Sequence, residues 1–444
     1  MITDNGNGLI ALQGSTSSYV IDLVGGAIPC LWHWGHRIDA PGGRRVTPQP
    51  MPYRVSADPA NPALQLESMP LEYALHGTGD FRRPSLHAVD AGGFPVTSLR
   101  YRRHRIAEGA PALGDLPAVH APASHAPAVH APAVHGPANE GTGVQRLEID
   151  LEDDLSGLSV TLVYTHFPAY DVVVRHAVIA NRGAGAPGSN AGSGDAEGGG
   201  ETPEGARTGA LVVDRAMSAT VDLPAGPYEL LSLVGEWGWE RQVERRSLGR
   251  GVAVLESTRG ISSHHTNPAF AIAGAGAGEV HGQVLGFALM YSGSWLAEVD
   301  ASTRHHYRVN VGMNPFELRL RLEPGESVIT PQVILCAGDS GVGGVSDRMH
   351  RFIGDCVVPA QWSRRPRPVL LNSWEAQYFH IDQESLVSLA AAGRDLGVEL
   401  FVVDDGWFGG RDDDTTSLGD WKENPQKLPD GLAGLAERIP GLGM

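Results

Sequence analysis

Near its C-terminal end the sequence runs through Val398-Glu399-Leu400-Phe401-Val402-Val403 and then places two carboxylates side by side, Asp404 and Asp405, followed by Gly406, Trp407 and Phe408. An apolar run of this kind predicts a strand buried on both faces. In parallel α/β sheets and barrels, chemistry collects at the C-terminal ends of the strands. Ionised carboxylates only accept hydrogen bonds, and an indole ring offers a flat apolar face. Both properties suit a polyhydroxylated ligand that donates from its hydroxyls and stacks one face on tryptophan, which is the profile of a sugar. Asp404 and Asp405 could instead cap the following turn or helix. The neighbouring Trp407 and Trp421 favour the ligand.

Other candidates carry less. Asp412, Asp414 and Glu423 occupy positions one, three and twelve of a calcium-loop pattern, but Ser417 stands where that loop requires glycine. Between Pro117 and Pro137 a five-residue unit brings His120, His125, His130 and His135; proline in every unit keeps the segment extended and its imidazoles apart. His264-His265 reads as a loop beside Asn267-Pro268. No metal site and no cofactor are expected.

Composition narrows the function further. The formal net charge is −17, with 51 acidic against 34 basic residues and no basic cluster. This counts against nucleic acid and anionic membranes, which are bound by clustered lysine and arginine. Cys30, Cys336 and Cys356 are few, odd in number and far apart, giving neither a disulfide framework nor a zinc spacing. The N-terminus lacks the pattern of a secretion signal, and no apolar run reaches the ~18 residues of a membrane span. A cytoplasmic protein is expected.

The elements that position the carboxylates follow from the hydrophobic pattern. From Leu9 to about Thr330, short β-branched and aromatic runs alternate with turn residues; Tyr19 to Val24, Leu147 to Leu151, Leu158 to Tyr164, Val172 to Ala180, Phe287 to Tyr291 and Phe316 to Leu322 are examples. This predicts a large β-sandwich domain over residues 1–345, interrupted by disordered inserts at about 108–140 and 183–209. Ser346 to Ile353 reads as a short helix leading out of it, within a linker over 346–366 that is rich in proline and arginine. Residues 367–444 then alternate: strand Val369 to Asn372, a helix capped by Asp382 and stopped by Gly397, strand Val398 to Val403, and a helix over Gly431 to Ile439 facing inward through Leu432, Leu435, Ala436 and Ile439. Such alternation implies a parallel sheet. The 79 residues from Pro366 to Met444 hold two such units, against ~250 for a complete (β/α)₈ barrel, so the expectation is an incomplete barrel with an open edge at the front of a longer protein.

At Asp404-Asp405-Gly406-Trp407-Phe408-Gly409 and Ser417-Leu418-Gly419-Asp420-Trp421 the sequence resembles the bacterial α-galactosidases of glycoside hydrolase family 36. The resemblance extends to Pro368 to Tyr378, with Asn372, Trp374 and Glu375. It also covers Gly77 to Arg82, Glu240 to Arg246, Gly260 to His264, Asn267-Pro268 and Gly312 to Phe316 of an N-terminal β-supersandwich. It implies hydrolysis of terminal α-linked galactose, as in melibiose and raffinose, by a retaining mechanism with a nucleophilic carboxylate and an acid/base carboxyl ~5 Å apart. Those two catalytic aspartates lie on later barrel strands and are expected beyond Met444, so this chain alone is expected to be inactive. Asp404 and Asp405 fall on the pair that holds the galactose O4 and O6 hydroxyls. Trp237 falls on a sandwich tryptophan that reaches the pocket, in tetramers that of a neighbouring subunit; without the resemblance it would read as a core aromatic. Trp374 and Trp407 complete the expected substrate-binding set. An aspartate that relatives carry near Met51 to Ser56 is missing here. Two other readings stand beside hydrolysis: a galactosyltransferase of the raffinose-synthase type, and a non-catalytic carbohydrate-binding or oligomerisation module.

Overall fold

The computed structural model describes residues 1–39, 46–47, 56, 61–62, 64–122, 143–183, 207, 209–301 and 306–444. Contacts divide them into two units, 1–359 and 360–444.

The first unit is built from antiparallel sheets. A four-stranded meander runs through Ile2–Asp4, Leu9–Gln13, Ser17–Val24 and Ile28–His36. A ten-stranded sheet runs from an edge strand at Trp239–Ser247 through Tyr228–Glu236, Thr266–Gly274, Val284–Met290, Gln332–Gly338, Val172–Asn181, Leu158–Phe167 and Gln145–Glu152 to the opposite edge at Arg100–Glu108, with Ser327–Ile329 also paired to Val172–Asn181. A six-stranded sheet is centred on Tyr307–Met313 and the long strand Leu211–Leu223. Period-two patterning sets the faces. In Gln145–Glu152, Leu147, Ile149 and Leu151 enter the core, while Asp150 on the alternate side accepts from Arg103 at 2.9 Å. One large cluster joins the sheets, including Trp295, fully buried, and Phe270 stacked on Phe287 at 4.7 Å.

The sandwich also buries charge. Asp80, Arg82, Asp222 and Arg308 are all below 10% exposed and are linked by six side-chain contacts at or under 3.0 Å that the two arginines share out between the two aspartates: Arg82 to both oxygens of Asp80 (2.9 and 2.8 Å) and to Asp222 (3.0 Å), Arg308 to Asp80 (2.8 Å) and to both oxygens of Asp222 (2.8 and 2.7 Å). Burial alone would raise the Asp80 carboxyl, yet Arg308 and Arg82 hold it below the ordinary carboxylate range. A second knot joins Glu72, Arg175, Tyr19 and Tyr164; here burial prevails over Arg175 and the tyrosine hydroxyls, and the Glu72 carboxyl is pushed up. The Gly77 to Arg82 motif therefore has a structural use: Asp80 and Arg82 pin their loop to the six-stranded sheet through Asp222 and Arg308.

Several expectations change. The strand over Phe316 to Leu322 shrinks to Leu320–Leu322, because Phe316 and Glu317 form a turn with Glu317 at φ 59°. The exit helix spans Gly341–Cys356 and is packed onto the sandwich rather than acting as a linker: Val345, Phe352 and Cys356 are buried, and Phe352 meets Phe167 edge-on at 4.8 Å. Gly341 starts it at φ 74°, where a Cβ would lie 2.5 Å from the Gly278 and Glu279 carbonyl oxygens. The start of the first insert is ordered, since Leu113 and Val119 are buried and the Val119 amide donates to Gln332 Oε1 at 2.8 Å. Residues 123–142, with His125, His130 and His135, lie outside the described residues, as do nearly all of 183–209 and residues 51–55.

In the second unit, Leu370–Asn372 and Leu400–Val402 pair in parallel, in the order strand, helix, strand, helix. Asp382 caps the helix Gln383–Asp395 by a reciprocal capping box with Ser385, and Gly397 follows its end at φ 91°. The second strand is three residues long and half-exposed, with Leu400 at 40%, so it is not buried on both faces; among the described residues its sheet holds two strands. The helix Gly431–Arg438 buries Leu435 but leaves Leu432 and Ala436 exposed. Ile381, Leu386, Leu428 and Leu435 form the core of this unit.

Candidate functional site

Asp404 and Asp405 lie just past the C-terminal end of the strand Leu400–Val402, one residue (Val403) beyond it. Backbone pairing brings the end of the neighbouring strand, Asn372, opposite Val402. The loops after both strands are thereby joined. Ser373 donates its amide to the Val402 carbonyl at 3.0 Å and accepts the Asp404 amide on its hydroxyl, also at 3.0 Å. Asn372 donates its side-chain amide to Asp404 Oδ2 at 2.6 Å, and its carbonyl oxygen accepts the Trp374 amide at 2.7 Å. One asparagine thus orients the first carboxylate and the first tryptophan together.

Asp405 is held differently. Arg411 donates Nε to both of its oxygens at 3.1 and 3.0 Å and Nη2 to Oδ2 at 2.9 Å, while the Gly406 amide donates to Oδ1 at 2.8 Å. The Arg411 hydrogen bonds outweigh the opposing effect of burial and hold the Asp405 carboxyl below the ordinary carboxylate range, so it is an anion at neutral pH. Arg411 is itself 4% exposed in its side chain and lies over the Phe379 ring at 5.4 Å. Gly406, at φ 96°, sits where a Cβ would come within 3.1 Å of the Phe379 Cα, so the backbone passes close to the first loop just after the pair.

The two carboxylates therefore differ chemically. Asp404 keeps a neutral amide on Oδ2 and the Asp405 amide on Oδ1, while Asp405 carries a forked guanidinium. Each carboxylate oxygen has two lone-pair sites, so the pair retains acceptor capacity for hydroxyl donors.

The tryptophans separate by environment. Trp374 is half-buried and meets Tyr378 and Phe379 edge-on at 5.2 and 4.9 Å. Trp407 packs onto the Leu386 core cluster and meets Phe408 at 5.1 Å, so part of its surface is spent on packing. Trp421 is 65% exposed, with its ring 4.6 Å from Phe408. Trp237 belongs to the first unit, where it forms the turn between Tyr228–Glu236 and Trp239–Ser247 and is 88% exposed. The core-aromatic reading of Trp237 is overturned: a two-residue hairpin tip on an edge strand has nothing to bury it. Asp412 pairs with Lys427 at 2.7 Å, and Glu423 accepts the Leu432 amide at 2.6 Å, so these carboxylates of the calcium-loop pattern are used by the loop itself.

Arg411 and Ser373 carry no weight in the sequence reading. The signal for Arg411 was present as a single cation opening the run Asp412-Asp413-Asp414, but its partner is six residues back and only the fold of the loop joins them.

Comparison with known proteins divides the chain earlier than its contacts do, between residues 323 and 327 rather than after 359. The family model described as the glycosyl hydrolase family 36 N-terminal domain matches residues 27–187 and 204–323, and that described as Melibiase matches residues 327–444. The α-galactosidase AgaA of Geobacillus stearothermophilus is 37% identical over 434 residues, which are 98% of this chain and 54% of that protein. The crystal structure of the α-galactosidase AgaB from the same organism matches with a TM-score of 0.85 at 37% identity, covering 100% of this chain and 56% of that one. AgaA variants solved with stachyose and with raffinose match at a TM-score of 0.84 and 36% identity, over 98% of this chain and 55% of theirs. The chain spans about half the length of the curated relatives it matches.

Proposed function

The chain belongs to glycoside hydrolase family 36, and from that premise we propose that its second unit grips the terminal galactose of α-galactosides of the melibiose and raffinose type. Asp404 and Asp405 accept from the sugar hydroxyls, Trp374 offers an apolar ring face, and Trp407 backs it from the core. The observation that carries this reading is the fixed orientation of both carboxylates at a strand's C-terminal end, by Asn372 and Ser373 on one side and Arg411 on the other. The relatives solved with raffinose and stachyose support the substrate class.

The reaction of the whole protein is retaining hydrolysis, in which one carboxylate attacks the anomeric carbon and a second carboxyl protonates the leaving oxygen, then activates water. Asp404 and Asp405 serve binding in this scheme. The reacting pair belongs to the part of the relatives' length that the present residues do not span, so the 444-residue chain binds galactose without cleaving galactosides. Galactose calorimetry and an aryl α-galactoside assay test this. Measurable heat that vanishes in Asp404→Ala, together with no turnover, is expected; turnover by this chain, or no binding at all, overturns it. Product analysis with sugar acceptors separates hydrolysis from transfer.

The first unit supports assembly into homo-oligomers. Trp237, Trp239 and Val243 stand 88%, 63% and 73% exposed on one edge hairpin, an apolar group that a neighbouring subunit would cover. Sedimentation of the wild type against Trp237→Ser checks it. Three unpaired, buried cysteines fit a reducing, cytoplasmic setting, and among the described residues no helix is long and apolar enough to cross a membrane.

A further inference from the structure

Of the 34 lysine and arginine residues in the sequence, only two are lysines, Lys422 and Lys427. In a chain that meets nearly every need for a cation with arginine, a lysine at a half-buried position marks a place where the shape of the cation matters. The Lys427 side chain is 14% exposed, and its ammonium donates to three backbone carbonyl oxygens, those of Phe379 and Gly406 at 3.0 Å and of Arg411 at 3.1 Å. Asp412 Oδ1 lies 2.7 Å away as counter-charge. An ammonium has three N–H donors, and each finds a carbonyl. A planar guanidinium cannot place three donors on oxygens arriving from different directions around one nitrogen.

The three carbonyls are not scattered. Phe379 belongs to the loop after the first strand, whose Trp374 its ring contacts. Gly406 is the residue next to Asp405. Arg411 is the residue whose guanidinium clamps Asp405. The main chain of Lys427 is anchored as well: its amide donates to the Asn424 carbonyl and its carbonyl accepts the Gln383 amide at the start of the capped helix.

We propose that Lys427 is a positioning residue for the carboxylate pair, an internal cation that ties the loop after the first strand to the Asp405–Arg411 loop and so fixes the clamp on Asp405. The sugar-binding consequence rests on the function proposed above; the structural assignment does not. Without the ammonium, the Gly406 and Arg411 carbonyls lose their common donor, and the main chain that carries the Arg411 clamp loses its tie to the loop after the first strand.

The test uses the 444-residue chain with Lys427→Met, which keeps the length of the side chain and removes donors and charge, and Lys427→Arg, which keeps the charge and loses the cage. Two NMR reporters are read: the Arg411 Nε–H signal and the titration of the Asp405 side-chain carboxyl. In Lys427→Met, with the thermal melt retained, the Nε–H signal is expected to lose its protection from exchange and the Asp405 titration to move up toward the ordinary carboxylate range, with Lys427→Arg altered in the same direction. Unchanged reporters in either variant overturn the proposal. Should Lys427→Met fail to fold, Lys427→Arg decides in the same way. Galactose calorimetry forms a separate arm: wild-type binding weakened about tenfold or more in Lys427→Met extends the assignment to the sugar, whereas a wild type that binds no galactose removes the sugar reading and leaves Lys427 to be judged by Asp405 alone.

Discussion

The molecule uses aspartate and arginine together in two regions, with opposite outcomes. In the sandwich, Asp80 and Asp222 are below 10% exposed and each accepts from two arginines, with the Leu71 amide adding a further donor to Asp222 and the Arg82 amide to Asp80. In the second unit, Asp404 and Asp405 are half-exposed and stand at the end of a strand; Asp404 accepts from the Asn372 side chain and the Asp405 amide, and Asp405 from Arg411 and the Gly406 amide. The same residue types make a fastener where the carboxylates are buried and each is shared between two arginines, and a candidate grip where orientation is set while the carboxylates stay partly exposed. Burial distinguishes them; residue identity does not.

Four measurements sharpen or break this contrast, beginning with the largest effect. Arg308→Met leaves two buried carboxylates short of donors, and removing one partner of a buried charge set costs about 3–5 kcal/mol. Denaturant unfolding is expected to show that loss, and a change under 1 kcal/mol would mean that the network is not a fastener.

The second concerns pH. His166 and His176 are buried without a partner on Nδ1, and burial lowers them to about 3 and about 4 from an ordinary 6.5. The folded state holds them neutral while the unfolded state protonates below 6.5, so their contribution to stability is present above that pH and falls as the solution is acidified toward their folded values. The loss approaches about 1.4 kcal/mol per pH unit for each histidine. Asp80, lowered in the fold, acts in the same direction at lower pH, and Glu72, raised in the fold, acts against it. Comparing melts at pH 7 and pH 5 for the wild type and for His166→Leu with His176→Leu isolates the histidine part, and equal slopes would refute it.

The third sets the open pair against the closed one. Asp404→Asn and Asp405→Asn are expected to weaken galactose binding about tenfold each, since a hydrogen bond to a charged acceptor is worth about 1.5–3 kcal/mol, while shifting the unfolding midpoint far less than Arg308→Met does. If the two variants destabilise the chain as Arg308→Met does and leave binding alone, the carboxylates belong with the fasteners. The smallest effect is expected at Trp237. Being 88% exposed, Trp237→Ala should change the stability of the chain by no more than about 0.5 kcal/mol, measured by chemical denaturation. A larger loss would show that the tip carries packing that its exposure does not suggest.

What the order of residues determined by itself was whatever depends on local pattern. Period-two alternation marked strands such as Leu147 to Leu151. The Asp382 cap and Gly397 stop bounded a helix, and an apolar run ending in Asp404-Asp405 marked the C-terminal end of a strand, because side-chain periodicity and capping are properties of a few consecutive residues. The tertiary structure decided what depends on partners far apart in the chain. Lys427 lies 48 residues from Phe379, and Arg308 lies 228 from Asp80. Trp237, alike in sequence to any core aromatic, was placed at a hairpin tip by strand pairing alone. Leu400 and Leu432, apolar and in phase, stayed partly exposed because burial needs a facing surface as well as a pattern. A residue's type states what it can bond to, and only the folded chain determines whether that capacity is used up inside the protein or left for a ligand.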